Sequence, residues 1–208
     1  STHIKFGEST AILAGNSLLT TAFEILSDKN FKVEDKIKSN LINLLSRCSG
    51  QTGIAGGQYL DLSYEKKKVS LKKILNMELK KTGKLFEASA LVAMDIAGES
   101  SNDWARDFGK NFGIAYQLRN DYLDYFGQND QTGKNIAEDL SEGKSTLPLI
   151  HSYIHSDERD KSLIRDIFNN KMVSDVYKLK DIFDRNSSGE YTLREIEKYT
   201  KNAINALH

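Results

Sequence analysis

Gln117, Asn120, Asp121 and Asp124 are separated by three, one and three residues. At 100° per residue of α-helix they share an arc of roughly 100°, so one face presents two amides and two carboxylates. Oxygen-rich faces of this kind suit Mg²⁺, which takes a few carboxylates and completes its octahedron with water and phosphate oxygens. The plainer alternative is a solvated acidic helix end. Nearby cations bear on the choice. Lys134 and Lys144 sit in the glycine-flanked polar segment just beyond, and Lys81-Thr82 sits at an interruption of the preceding long helical stretch. If neighbouring helices pack antiparallel, as short connections favour, these lysines face the acidic helix end across a cleft. Cations opposite metal-binding carboxylates make a site for a diphosphate.

The elements that must position these groups are helices. One proline in 208 residues argues against a turn-rich β fold and for long uninterrupted helices. Glu8 to Leu26 is apolar on nearly every side, the pattern of a helix buried among others. An amphipathic segment from about Val33 runs to Gly50, Gly53, Gly56 and Gly57, which either end it or let another backbone approach closely. Leu71 to Ala97 reads as a long helix broken at Thr82-Gly83, and Trp104 to Phe126 as the next. Gly127 to Gly143 has loop composition, and the lysine run at 66–68 reads as a solvated loop. The last third reads as shorter helices, with Thr192 and Glu195 spaced as a capping box.

Several motifs mislead. Gly143-Lys144-Ser145 resembles the end of a P-loop, but Glu138 stands where the first glycine belongs and no strand precedes it. His151 and His155 are spaced i and i+4 without the intervening Glu of a zinc-protease helix. Asp184 to Glu195 matches the EF-hand loop pattern with Ser188 at a weak position, and the same residues serve as a plain interhelical turn, the preferred reading.

Composition bounds the partners. Twenty-nine basic residues balance 29 acidic ones, so no global field draws the chain to nucleic acid or an anionic membrane. No stretch approaches the roughly 18 consecutive apolar residues of a membrane span. The lone Cys48 cannot form an internal disulfide, which predicts a reducing, cytoplasmic location.

Five blocks carry a more specific resemblance. They are Phe6-Gly7-Glu8-Ser9-Thr10 through Leu19, Gly56-Gly57-Gln58 with Leu60-Asp61-Leu62, Lys81-Thr82-Gly83, Gln117 to Asp124, and Gly133-Lys134 followed by Asp139 and by Gly143 to Pro148. In order and spacing they resemble the trans-isoprenyl diphosphate synthases, strongly to about His155 and weakly beyond. The resemblance implies an all-α helical bundle with a central substrate cavity. It also implies a Mg²⁺-dependent prenyltransferase that joins an allylic diphosphate to isopentenyl diphosphate and releases pyrophosphate, short-chain farnesyl or geranylgeranyl synthases being the expected type. Lys81, Lys134 and Lys144 would hold the allylic diphosphate, with Thr82 and Gln117 at the developing cation and its leaving oxygen. Asn120, Asp121 and Asp124 would belong to the second metal-binding motif. Family members pair as homodimers through the helix that here is Glu8 to Leu26.

Two departures accompany the resemblance. Asn120 stands where the family has aspartate, a weaker Mg²⁺ ligand. The family's first aspartate-rich motif lies upstream of the stretch resembling Ser1-Thr2-His3. Residues 1–208 are therefore expected to be one polyprenyl synthetase domain lacking its N-terminal helices and that motif, with little turnover alone. The alternatives are a non-catalytic subunit or a helical scaffold of the same fold. A class I terpene cyclase is disfavoured because Asp124 and Gln128 stand where its motif has Ser and Glu.

Overall fold

A computed structural model describes residues 2–65, 67, 69–98, 103–127 and 137–208. Among them every regular element is helical. In chain order they are α1 (Thr2–Phe6), α2 (Glu8–Ser27), α3 (Asp35–Ser49), α4 (Ile54–Tyr64), α5 (Leu71–Glu78), a π-helical turn (Leu79–Gly83), α6 (Lys84–Ala97) and α7 (Asp103–Phe126). They continue with α8 (Glu138–Glu142), α9 (Leu147–His155), α10 (Glu158–Asn169), a 3₁₀ turn (Val173–Asp175), α11 (Val176–Arg185) and α12 (Ser188–Asn205).

Helix α7 is the axis. Its buried residues Ala105, Gly109, Gly113, Ile114, Leu118, Asp121 and Tyr125 recur at helical spacing, so one side stays inside for the whole length. That side packs on α6 and α12. Around its C-terminal end Tyr125, Leu140, Leu149, Ile164, Phe168 and Phe183 form the largest apolar cluster, which draws α8 to α11 against it. Leu118 and Leu147 join a second cluster with Leu71, Leu75 and Ile196. Helix α9 begins with Pro148 in its first turn, where a missing N–H costs nothing.

The break expected at Thr82-Gly83 is a π turn rather than an end of the helix. The chain runs from α5 through Leu79–Gly83 into α6 with one extra residue in the turn, a local widening that is often placed at functional sites. Two close approaches hold it. A Cβ on Gly113 would lie 2.3 Å from the Gly83 Cα, and one on Gly57 would lie 2.3 Å from the Lys81 backbone nitrogen. Glycine at 57 and 113 lets α4 and α7 approach the turn that carries Lys81 and Thr82.

Two expectations change and one holds. Helix α2 contains no buried residue, and Leu18 is 73% exposed. Among the described elements it packs chiefly on α1 and α3, so the surface that would cover its apolar sides is not part of these residues. The turn preferred over an EF-hand is present at Asn186 and Ser187, between α11 and α12. The capping box is not, because α12 starts four residues before Thr192, whose buried hydroxyl donates to the Ser188 carbonyl at 2.8 Å. His151 accepts or donates at Nδ1 to the buried Ser188 hydroxyl (2.9 Å) and stacks on Tyr191, which ties α9 to α12.

Candidate functional site

Lys81, Gln117, Asp121 and Lys144, separated by up to 63 positions in sequence, line one cleft together with Asp61, Glu78 and Asp139. The π turn sends the Lys81 ammonium to Asp61 on α4, Nζ to Oδ2 2.7 Å. Asp61 is 6% exposed, and Gln58 Nε2 approaches the same oxygen at 3.5 Å. Next along the turn, the Thr82 hydroxyl donates to Gln117 Oε1 at 3.4 Å. That contact joins the π turn to the C-terminal half of α7.

Asp121 is 4% exposed, and its Oδ2 accepts the Leu147 N–H at 3.1 Å. It thereby satisfies an orphan donor at the first turn of α9, where the helix dipole favours negative charge. One helical turn on, Asp124 Oδ1 accepts the backbone N–H groups of Glu138 (2.9 Å) and Asp139 (3.3 Å) at the start of α8. Ala137, just before them, is held at φ 60°, a left-handed conformation that costs about 1 kcal/mol or more in a residue with a Cβ. Lys144 follows α8 and pairs with Glu142, and its Nζ lies 3.5 Å from Asp139 Oδ1.

The electrostatics are lopsided toward negative charge. Burial pushes Glu78 up to about 8, helped by the Asp61 and Asp139 charges and opposed by Lys81 and Lys144. Burial also raises Asp121 well above the carboxylate range, with Glu78 and Asp139 adding to it. Asp124 rises to about 7 through burial and the Asp139 charge, against its two backbone hydrogen bonds. For Lys144 burial works against the charged form, but Glu142 and Asp139 outweigh it and hold the ammonium protonated.

Two buried carboxylate oxygens, Glu78 Oε2 and Asp124 Oδ2, have no hydrogen-bond partner. Orphaned carboxylate oxygen beside mutually repelling acids is the environment that a divalent cation relieves. No preformed cage of three or more ligating side chains exists among the described residues. Mg²⁺ does not need one, since it binds through one or two carboxylates with water and phosphate oxygens completing the shell. The acidic end of α7 therefore fits the ion.

The cleft itself is about 30 Å³, room for about one water. Two of the side chains that line it, Lys81 and Lys144, rest on carboxylates. A diphosphate entering here must take those lysines from Asp61, Glu142 and Asp139, an exchange of one charge-assisted contact for another.

Of the residues singled out from sequence, the structure brings Lys81, Gln117, Asp121 and Lys144 together and sets Thr82 against Gln117. Asn120 and Asp124 share the same end of α7 but do not line the cleft, and Lys134 lies outside the described residues. Asp61 and Asp139 stood in the quoted motifs without a role, and the structure puts both beside lysines. Glu78 was missed. Its signal was a carboxylate three residues before Lys81, flanked by Ile74 and Met77 on an otherwise apolar face.

Comparison with known proteins fits this geometry. The sequence matches the Polyprenyl synthetase family over residues 1–185. It is 36% identical over 168 residues to the farnesyl diphosphate synthase of Escherichia coli (strain K12), a match that covers 79% of this chain and 56% of the relative. The chain spans about half the length of the curated relatives it matches. In three dimensions it superposes on the geranylgeranyl pyrophosphate synthetase of Pyrococcus horikoshii Ot3 with a TM-score of 0.86 and 32% identity, covering 100% of this chain and 63% of that one. It likewise superposes on a polyprenyl synthase of Caulobacter crescentus CB15, complexed with calcium and isoprenyl diphosphate, with a TM-score of 0.85 and 28% identity, covering 99% and 61%. The chain belongs to the polyprenyl synthetase family.

Proposed function

We propose that this chain carries the diphosphate-holding part of a Mg²⁺-dependent (E)-prenyl diphosphate synthase, which condenses an allylic diphosphate with isopentenyl diphosphate and releases pyrophosphate. The observation that carries this reading is the convergence of Lys81, Lys144, Gln117 and Asp121 on one cleft from three separate stretches of chain. In this reading Lys81 and Lys144 grip the diphosphate, and Lys134, which lies outside the described residues, would join them. Asn120, Asp121 and Asp124 hold the metal. When bound, Mg²⁺ would supply the positive charge that steadies the departing pyrophosphate.

The chain's own groups do the rest. Lysines released from Asp61 and Glu142 donate to phosphate oxygens as negative charge builds on the leaving group. The Thr82 hydroxyl steadies Gln117 Oε1, and the Gln117 carbonyl dipole would stabilise the positive charge that develops on the allylic carbon as the carbon–oxygen bond breaks. The alkene of isopentenyl diphosphate then attacks that carbon, and the cation so formed loses a proton to the departing pyrophosphate, which leaves the product with a new carbon–carbon double bond. The bound calcium and isoprenyl diphosphate of the Caulobacter relative support a cation and a prenyl diphosphate in this fold.

We also assign a homodimer and a cytoplasmic location. A second copy is the natural cover for the apolar sides of α2, where Ile12, Leu13 and Leu18 are all more than half exposed. The cytoplasmic assignment rests on the single cysteine, free and buried at Cys48. No described helix is long and apolar enough to cross a membrane. A non-catalytic subunit is the second reading, favoured by the neutral Asn120 in the metal face. Equilibrium dialysis against radiolabelled geranyl diphosphate tests the site. Retention with Mg²⁺, release by EDTA and loss in Lys144→Ala support it, and equal retention with and without Mg²⁺ contradicts it.

A further inference from the structure

A second cavity of about 490 Å³ opens between α9, α10 and the stretch before α5. It shares a single wall residue, Ser145, with the diphosphate cleft. Its floor is apolar, built from Val69, Ile150, Ile154 and Phe168, and its size is that of a small-molecule site. Two cations line it, Lys67 and Arg165, and no carboxylate does among the described residues. Arg165 is half-buried, and its guanidinium donates to the Tyr153 hydroxyl at 3.3 Å, which holds the charge beside the apolar floor. The Ser145 hydroxyl donates to the Lys67 carbonyl at 3.3 Å and fixes the opposite side.

An apolar trough with two cations and no acid in its wall selects a ligand that has an apolar tail and an anionic head. A purely apolar molecule would leave both cations unmatched, and a bare phosphate would leave the floor wet. We propose that this cavity binds an isoprenoid phosphate at a site separate from the diphosphate cleft, with the chain on the Ile150, Ile154 and Phe168 surface and the head between Lys67 and Arg165. The choice of an isoprenoid chain rests on the function proposed above. The preference for a tailed anion rests on the cavity alone. Placed against Ser145, the neighbour of Lys144, the occupant would sit one residue from the lysine proposed to hold the substrate diphosphate.

The test is calorimetric titration of the 208-residue chain with farnesyl monophosphate in EDTA, where metal-dependent binding is suppressed. The Lys81→Met variant removes the diphosphate cleft from the measurement. One equivalent is expected to bind both proteins with the same affinity. Arg165→Glu and the exposed Ile154→Asp are each expected to weaken it about tenfold or more, with helical circular dichroism confirming that each variant is folded. Isopentenyl monophosphate, which has the head and almost no tail, should bind at least about tenfold more weakly than the farnesyl probe. No binding, binding unchanged in both cavity variants, or equal binding of the two probes would overturn the proposal. Failure of the prenyltransferase assignment reads differently, as absence of Mg²⁺-dependent diphosphate binding that Lys81 and Lys144 control.

Discussion

Glu78→Gln isolates the electrostatic cost built into the cleft. In the folded protein Glu78 holds its proton to about pH 8, against an ordinary value of 4.5, because burial disfavours the carboxylate and Asp61 and Asp139 repel it. Between those values the folded chain carries a proton that the unfolded chain has released. Stability therefore falls as pH rises, by up to about 1.4 kcal/mol per pH unit for this one group. Carried across the whole window, the loss is on the order of 3 to 5 kcal/mol, the range allowing for Lys81 and Lys144 sharing the interaction. The substituted amide does not titrate, so the variant should lose less stability than wild type between about pH 5 and pH 8. Asp121 and Asp124 are shifted in the same direction and remain in both proteins; because the Glu78 charge is one cause of the Asp121 shift, the difference between the two slopes reports Glu78 together with the part of the Asp121 shift that it causes. Urea unfolding at half-unit steps of pH, without divalent metal, measures it. The absolute offset between the proteins includes the cost of burying an amide, but the slope does not. Parallel pH profiles for wild type and variant would refute the account of a buried, proton-holding Glu78.

Other perturbations test neighbouring parts of the account. Gly57→Ala forces a Cβ to within 2.5 Å of the Lys81 Cα and should cost about 1–3 kcal/mol in urea unfolding; an unchanged midpoint would show that the π turn tolerates the added methyl. Asn120→Asp adds a carboxylate to the metal face and should lower the Mg²⁺ concentration needed for half-maximal pyrophosphate binding; an unchanged Mg²⁺ titration removes Asn120 from the metal shell. Leu18→Glu places a charge on the exposed side of α2 and should shift sedimentation velocity from dimer to monomer, whereas an unchanged boundary places the interface elsewhere.

The helices were legible because apolar spacing along this chain is regular and proline is nearly absent. Trp104 to Phe126 was read almost to the residue, and its terminal face of Gln117, Asn120, Asp121 and Asp124 follows from helical geometry alone. The π turn was not legible. A Thr-Gly pair signals weak helix, but only the packing of Gly57 and Gly113 against the turn decides that the chain widens there instead of ending. Thr192 shows the opposite failure, since local capping chemistry lost to the pull of α7 and α9, which extends α12 backward through Ser188. The partners of the charged side chains were also hidden, because Lys81 with Asp61 and Asp121 with Leu147 are pairs 20 and 26 residues apart. The burial expected of α2 is not observed, since none of its residues is buried: apolar composition shows that a helix needs a covering surface, and the described part of this chain does not supply it.

The central claim is that lysines and acids converge here to hold a diphosphate through Mg²⁺. Isothermal titration of the chain with inorganic pyrophosphate, with Mg²⁺ and then with EDTA, addresses it most directly. Metal-dependent binding at one site, weakened about tenfold or more by Lys81→Met and by Asp121→Asn, is the predicted result. Pyrophosphate that fails to bind with Mg²⁺ present, or that binds both variants as tightly as wild type, would contradict it.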